Sequence, residues 1–285
     1  LYLLANLLMA SGTTVGFEDP GYVDARNIFS LGANRIRPLA VDDRGLVVND
    51  QLDGCDYVYV TPSHQFPTTV TMSLDRRTSL LDRARHADFI VIEDDYDSEI
   101  NQGGSPTAAL KSIDASGRVI FLASLSKTLA PGLRLGYMVG PKALIAEARA
   151  LRRLMLRHPP TNNQRTLALF LALGHHDSLC RRLRHAYRER WEVMGTALRR
   201  YLPTCAFHQC TGGTAYWVAG PPKLDTAVVA QAAAKRGVLI EPGAVHFMAK
   251  APSPYFRLGF SSIPMNRIEP GIRILGEIVD GYSRR

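Results

Sequence analysis

The first 140 residues contain short apolar runs that alternate with helical or polar stretches, and this order restricts the fold more than any other feature. Strands alternating with helices form mostly parallel, doubly wound sheets, and near-continuous apolar strands are covered on both faces. We therefore predict an α/β fold with a helix at residues 79–87. Strands are predicted at 13–19, 36–41, 57–62, 88–95, 118–125 and 135–140.

From about Ala143 the pattern becomes helical, and strand signals return only after residue 212. The chain has 285 residues and is 46% hydrophobic, enough for a large domain and a smaller one. We predict a large α/β domain over 1–145, then connecting helices and a small α+β domain over 146–285. Its helices are predicted at 142–158, 177–200 and 225–236, with one more after "PPTNNQ", and its strands at 212–220, 237–243 and 255–261.

The chain opens with "LYLLANLLMASG", an amphipathic helical pattern that no cap residue, turn or initiator Met precedes. We expect this sequence to begin within a helix and to lack a segment upstream.

The net charge of +8 raises the possibility of nucleic-acid binding. However, the arginines are dispersed, and the one cluster, "CRRLRHAYRER", lies in a helical pattern where a solvated face is the simpler interpretation. The sequence has no helix-turn-helix signal and no aromatic residues interleaved with these arginines, so a nucleic-acid-binding module is the weakest hypothesis.

The cysteines and the apolar runs argue against disulfide-rich, metal-binding, secreted and membrane-spanning proteins. The four cysteines form no CxxC pair, and "CAFHQC" has no fourth ligand nearby, so we expect reduced thiols and no metal site. No signal peptide is visible, and no apolar run reaches the roughly 18 residues of a membrane span. The sequence predicts a soluble, cytoplasmic protein.

Polar residues follow four of the predicted strands. In parallel α/β sheets, ligands bind outside the carboxyl ends of the strands. The four sets are Glu18–Asp19, Thr61–Gln65, Glu93–Tyr96 and Ser124–Lys127.

The last set belongs to "SLSKTLAPGLRLGY", which contains one of only six lysines in the chain. A lone lysine at a strand end is usually just solvated. Here Ser124, Ser126, Thr128 and Arg134 surround it with hydroxyls and a guanidinium, the groups that hold a phosphate dianion. No GK[ST] ending, GxGxxG or HExxH motif is present, so nucleotide loops and a zinc helix are excluded.

The third set lies in "IEDDYDSE", whose carboxylates flank a tyrosine. Such a segment could bind a divalent metal, form a solvated acidic loop, or hold a ring nitrogen protonated while the phenol contacts a ring oxygen. A lysine able to form a Schiff base, a phosphate cradle and a carboxylate for a pyridinium nitrogen together indicate pyridoxal phosphate.

The lysine segment resembles the corresponding motif of the fold-type-I pyridoxal-phosphate proteins, the aspartate aminotransferase superfamily. Further motifs narrow the resemblance to the aminotransferase-like domain of MocR-type regulators in the GntR family. It runs from Leu1 to about Arg285, with the motifs in the family's order. These motifs are "EDPGY", "TPSHQFPT", "IEDDYDSE", "GHHDSLCRRLRHAYRER" and "YFRLGFS".

The resemblance implies a role for each matching position. Lys127 would form the internal aldimine with pyridoxal phosphate. Asp94 would pair with the pyridine nitrogen, Tyr96 would hydrogen-bond the 3'-oxygen, and Tyr22 would stack on the ring. The phosphate would be bound by Ser124, Arg134 and, more weakly, Ser126. Arg257 would clamp the carboxylate of an amino-acid ligand, although an ion pair inside the small domain is the alternative.

The chain departs from the family pattern at "HQFPTT". Phe66 stands where aminotransferases carry Asn, so His64 or Gln65 would have to serve the ring oxygen. Thr69 stands where they carry Gly, the residue that tolerates positive φ. The family's first phosphate-binding loop and its winged-helix DNA-binding domain would lie upstream of Leu1.

The resemblance implies an effector-sensing, pyridoxal-phosphate-binding domain of a transcriptional regulator, and the alternative is an active class I/II aminotransferase. Either would bind an amino acid or amine and form a homodimer. DNA would be bound only through the upstream winged-helix domain.

Overall fold

A computed structural model describes residues 1–97, 107–207, 212–249 and 254–283, and these pack into two compact units. The sequence predicts a boundary at 145/146, whereas the packing divides the chain at 181/182. The helix Lys142–Leu156 belongs to the first unit because it packs against the N-terminal helix Tyr2–Leu8. The first unit comprises 1–66, 70–97 and 107–181, and the second 67–69, 182–207, 212–249 and 254–283.

The first unit is built on a seven-stranded sheet in the order β3-β2-β1-β4-β5-β6-β7. Strands β2, β1, β4, β5 and β6 are parallel, and the edge strands β3 and β7 are antiparallel. The predicted, mostly parallel α/β fold is therefore confirmed. The strands are β1 (Thr14–Asp19), β2 (Arg35–Asp42), β3 (Gly45–Leu46), β4 (Tyr57–Val60), β5 (Ile90–Asp95), β6 (Val119–Ser124) and β7 (Gly136–Val139).

The helices of this unit cover apolar strands. On α3, Leu80 and Ala84 lie one turn apart and pack against Val58 and Val91 of the central strands. The helices are α1 (Tyr2–Leu8), α2 (Val23–Ser30), α3 (Leu74–His86), α4 (Leu110–Ile113), α5 (Lys142–Leu156) and α6 (Thr161–Ala172), with short 3-10 turns at Asp50–Leu52 and Pro131–Leu133.

The strand order brings the four polar sets to one edge of the sheet. Strand β1 pairs with β2 on one side and with β4 on the other, so the order reverses there. Such a switch point opens a crevice at the carboxyl ends of the strands. Because β1, β4, β5 and β6 are parallel, their polar ends all lie at this edge.

The second unit contains a four-stranded antiparallel sheet, in the order β10-β11-β9-β8, and a separate apolar core. Ile268, Ile272, Leu275 and Val279 recur at helical spacing on its last helix and are buried. Its elements are α7 (His175–Tyr201, which begins in the first unit), β8 (Ala206–Phe207), β9 (Ala215–Ala219), α8 (Thr226–Ala234), β10 (Glu241–Pro242), a 3-10 turn at Gly243–His246, β11 (Tyr255–Gly259) and α9 (Met265–Ser283).

The strand predicted at 237–243 shortens to β10. The amides of Gly237 and Val238 donate to the last carbonyls of α8, Ala234 and Ala233, so they cap the helix instead of joining a sheet. No helix in the described part of the chain combines the length and the apolar character that crossing a bilayer requires.

Thr69 is buried and has a φ of 65°, in the left-handed region that disfavours β-branched residues. The backbone thus keeps the conformation that the family's Gly would adopt easily. Its hydroxyl donates to the carbonyl of Thr68 at 2.6 Å. The left-handed conformation costs a non-glycine residue about 1–2 kcal/mol.

We expect Thr69→Gly to raise the free energy of unfolding by about 1 kcal/mol, since relief of strain exceeds the added chain entropy. Thr68, whose φ is not positive, provides the control. Thr68→Gly should destabilise the protein. Urea denaturation measures the free energy of unfolding of both variants. An equal loss of stability in the two would show that the backbone of Thr69 is not strained.

Candidate functional site

A cavity of about 1440 Å³ lies at the carboxyl edge of the first unit's sheet. This volume exceeds the roughly 300–1,000 Å³ typical of small-ligand sites. Seven of the ten residues singled out in the sequence line it: Tyr22, Asp94, Tyr96, Ser124, Ser126, Lys127 and Arg134.

The β6–β7 hairpin explains why the lysine and the arginine share this cavity. Ser124 ends β6 and pairs with Gly136, the first residue of β7, so Lys127 and Arg134 lie on one closed loop. A Cβ on Gly136 would come within 2.5 Å of the carbonyl oxygen of Ala123, so the pairing requires glycine. The loop is also closed by Leu125, whose amide donates to the carbonyl of Leu135 at 3.1 Å.

Arg134 is exposed and adopts the left-handed conformation, with φ 51° and ψ 44°, directly after the turn Pro131–Leu133. Strained backbone of this kind concentrates at functional sites. Nearby, the amide of Ser126 donates to the hydroxyl of Ser124 at 3.3 Å. A guanidinium and two serine hydroxyls at the end of one strand form a donor set suited to a phosphate dianion.

Lys127 reaches toward Tyr96. Its Nζ lies 5.6 Å from the centroid of the Tyr96 ring, and the lysine side chain is exposed. The phenol of Tyr96 donates to the carbonyl of His64 at 2.8 Å. An exposed amine beside a fixed aromatic ring can be reached by an incoming carbonyl compound.

Asp94 is a half-buried carboxyl near the end of strand β5. The phenol of Tyr59 donates to its Oδ2 at 2.5 Å. Burial raises the pKa of Asp94 to about 6, against the lowering effect of the Tyr59 hydrogen bond. The carboxyl is therefore mostly ionised at neutral pH, as a partner for a protonated ring nitrogen must be.

An aromatic wall closes another side of the cavity. The rings of Tyr22 and Phe66 meet edge to face at 5.2 Å, and Phe66 meets Tyr96 in the same manner at 6.0 Å. Tyr22 also donates from its phenol to Asp24 at 3.3 Å. Phe66, at the position where the resemblance leads one to expect Asn, thus contributes an apolar surface instead of a hydrogen-bond donor.

His64 and Gln65 do not line the cavity. His64 is buried with its Nδ1 2.7 Å from Oδ1 of Asp97; burial alone would lower the pKa of His64, but Asp97 raises it. The amide nitrogen of Gln65 donates to Glu18 and to the carbonyls of Pro20 and Phe66. These contacts hold both side chains away from the cavity, so we no longer assign either to a ring oxygen.

Glu18 is a buried carboxyl that the sequence analysis placed at the strand end without a role. Its Oε2 accepts hydrogen bonds from the amide and hydroxyl of Thr61, at 3.2 and 2.6 Å, and from Gln65. Thr61 lines the cavity, and its hydroxyl accepts from the amide of Phe66. Glu18 therefore fixes the loop that forms one wall of the cavity.

Arg77 supports the same loop and was not foreseen. Its side chain is fully buried and donates to the carbonyls of Pro62, Met72 and Ala108, at 2.7, 3.0 and 3.1 Å. Glu93, also buried, lies 3.9 Å from it and accepts from the first amides of α4. In sequence, Arg77 is indistinguishable from the half-buried arginine beside it, Arg76.

Arg257 lies in the second unit, on β11, opposite Glu241 of β10. Its Nη1 is 3.3 Å from Oε2 of Glu241, and the other carboxylate oxygen is 3.4 Å from Nε2 of His246. These contacts form the ion pair inside the small domain that is the alternative role of Arg257.

Metal chemistry finds no support in the described ranges, where no three His, Cys, Asp or Glu side chains cluster as metal ligands would. Cys55, Cys180 and Cys205 are buried thiols, and Cys210 lies outside the described residues.

Comparison with protein families identifies the family to which this fold and cavity belong. The model of aminotransferase class I and II matches residues 3–275. The chain belongs to this family. The fold of the first unit, with the lysine loop at the carboxyl edge of a mostly parallel sheet, agrees with that membership.

Within the aminotransferase class I and II family, the chain is similar to regulators as well as enzymes. It is 42% identical over 273 residues to the HTH-type transcriptional regulator TauR of Rhodobacter capsulatus, covering 95% of this chain and 56% of TauR. It is 31% identical over 277 residues to the probable rhizopine catabolism regulatory protein MocR of Rhizobium meliloti, covering 96% and 56%. The chain thus spans little more than half of these relatives.

A solved relative is the kynurenine aminotransferase of Pyrococcus horikoshii, in a complex with PMP. The identity is 29%, the TM-score is 0.92, and the match covers 99% of this chain and 72% of that one. The donor set of the present cavity fits a cofactor of this type. It offers an amine, an arginine with two serine hydroxyls suited to a phosphate, an aromatic face, and a carboxyl to which Tyr59 donates.

Glu18 should make stability pH-dependent. Burial raises its pKa from 4.5 to about 7, so the folded protein binds the proton more tightly than the unfolded chain does. The contribution of Glu18 to the free energy of unfolding is therefore greatest below pH 4.5. It is lost as the pH rises to about 7, and the loss totals about 3 kcal/mol.

We expect Glu18→Gln to remove this pH-dependent loss of unfolding free energy. The amide oxygen of Gln still accepts a hydrogen bond from Thr61, but the side chain does not ionise. Urea denaturation at several values from pH 5 to pH 8 measures it, with exposed Glu147→Gln as the control. Parallel curves for the parent and Glu18→Gln would show that Glu18 does not titrate in this range.

Proposed function

We propose that this chain is the pyridoxal-phosphate-binding, effector-sensing part of a transcriptional regulator. The observation that carries the proposal is one cavity lined by seven of the expected residues, in a chain whose similarity to the regulator TauR extends over 95% of its length. Support for the cofactor comes from the family match and from the PMP-bound relative.

Pyridoxal phosphate, when bound, supplies an aldehyde that condenses with amines and a protonated ring that withdraws electrons. Lys127 would hold the aldehyde carbon covalently through its neutral amine. An arginine could not do this, because its guanidinium stays protonated. Among the five lysines in the described ranges, Lys127 is the one that lines this cavity.

The remaining side chains would bind and orient the cofactor. Arg134, Ser124 and Ser126 would bind the phosphate, and Tyr22 would cover the ring. Asp94 would hold the proton on the ring nitrogen, and Tyr96 would donate its phenol to the ring oxygen in place of the carbonyl of His64. An amine ligand that displaces Lys127 changes the charge beside Tyr96, and such a change can bias a two-state element.

An active aminotransferase is the second candidate, favoured by the 0.92 TM-score to a kynurenine aminotransferase. Displaced Lys127 would then also move a proton at the α-carbon of the ligand. A sensor needs only the exchange of amines. Similarity to TauR, at higher identity than to the enzyme, supports sensing.

The ligand in this proposal is an amino acid or amine. Arg257 remains the proposed clamp for a carboxylate, and such a ligand must compete with Glu241 for its guanidinium. DNA would be recognised by a helix-turn-helix segment of the kind for which TauR, an HTH-type regulator, is named, and the location would be cytoplasmic. A homodimer is also part of the proposal. It is supported by three exposed leucines of the first unit, Leu154, Leu156 and Leu173.

Lys127→Ala should abolish the visible absorption that pyridoxal phosphate acquires on attachment to a lysine. In the parent, borohydride reduction should leave the cofactor on the peptide that contains Lys127, as mass spectrometry detects. Lys142→Ala, at the exposed start of α5, is the matched control and should behave like the parent. An adduct elsewhere, or none in the parent, would refute the cofactor assignment.

A panel of amino acids and amines added to the loaded protein then separates the two candidates. A shifted absorption band without release of a keto acid supports the sensor. Release of keto acid with formation of pyridoxamine phosphate would identify an aminotransferase and refute a purely sensory role.

A further inference from the structure

The central strands place a tyrosine beneath the carboxyl that faces the cavity. Tyr59 of β4 is paired in register with Ile92 of β5, and Asp94 follows two residues later on the same face of the sheet. A tyrosine side chain is long enough to reach this diagonal neighbour. Its hydroxyl accordingly lies 2.5 Å from Oδ2 of Asp94.

The ring of Tyr59 is held as firmly as its hydroxyl. It is 1% exposed, stacks on Phe17 with centroids 4.8 Å apart, and lies 6.0 Å from Phe29. Burial, with Asp94 beside it, raises the pKa of Tyr59 well above its ordinary value of 10, so the phenol stays a donor at any physiological pH.

A hydrogen bond of this kind acts on the charge of the acceptor. A phenol that donates to a carboxylate stabilises the ionised form, and bonds to charged groups are the strong ones. Asp94 is half-buried, so it needs such stabilisation to remain ionised. Its orientation is also fixed, because Oδ2 is bound to a rigid ring.

We propose that Tyr59 is a positioning residue for the cofactor: by donating to Asp94, it keeps that carboxyl ionised and aimed at the ring nitrogen of pyridoxal phosphate. This inference rests on the proposed function and adds a residue that does not itself line the cavity. Tyr59 acts through Asp94 and touches neither cofactor nor ligand.

The test is Tyr59→Phe, which retains the stacked ring and removes the hydroxyl. We expect its affinity for pyridoxal phosphate, measured by titration of the visible absorption, to fall about tenfold or more. Tyr57→Phe is the control, since Tyr57 lies on the same face of the same strand and outside the cavity lining. It should bind like the parent.

A double-mutant cycle with Asp94→Asn separates positioning from a structural effect. In the Asp94→Asn background, Tyr59→Phe should cost no further affinity, because the charge on which it acts is gone. The ¹⁵N chemical shift of ring-labelled cofactor should also move from the protonated toward the unprotonated value in Tyr59→Phe.

Unchanged affinity in Tyr59→Phe, or an equal loss in both backgrounds, would overturn the inference. A parent that does not attach the cofactor to Lys127 would refute the proposed function instead. Thermal unfolding of each variant confirms that it is folded before binding is compared.

Discussion

The hydrogen bond from Tyr59 to Asp94 is the contact on which the interpretation of the cavity depends. It joins the packed interior of the sheet to the polar edge, because the ring of Tyr59 is embedded among Phe17 and Phe29 while Asp94 lines the cavity. A half-buried carboxyl without a donor would be driven toward its neutral form. With this donor the carboxylate can stay ionised and pair with a cation such as a pyridinium nitrogen.

Lys127, the two serines and Arg134 depend on a different constraint, the closed loop between β6 and β7. Pairing of Ser124 with Gly136 forces the intervening residues to fold back over the sheet edge, and Arg134 accepts left-handed backbone geometry there. The loop that carries Lys127 and Arg134 therefore begins beside Asp94, because β5 and β6 are neighbouring parallel strands.

Strand periodicity predicted the mostly parallel sheet, because it is a local signal. Strand-end polarity singled out most of the seven cavity residues, and the family resemblance supplied Tyr22. The sequence did not reveal Tyr59 or Arg77, whose roles depend on which residues become diagonal neighbours or lie under a loop. Nor did it reveal the contacts of His64 and Gln65 outside the cavity lining, since Asp97 and Glu18 meet them only in the folded chain. Thr69 differs from these cases. Its backbone keeps the left-handed conformation that suits the family's Gly, although Thr is an unfavourable residue there.

The most direct test compares pyridoxal phosphate with an analogue in which carbon replaces the ring nitrogen. Affinities are measured for the parent and for Asp94→Asn, which keeps the shape of the side chain and removes its charge. The parent should prefer the natural ring about tenfold or more, and Asp94→Asn should lose that preference. Equal affinities in the parent, or a preference that persists in Asp94→Asn, would contradict the assignment of Asp94 to a protonated ring nitrogen.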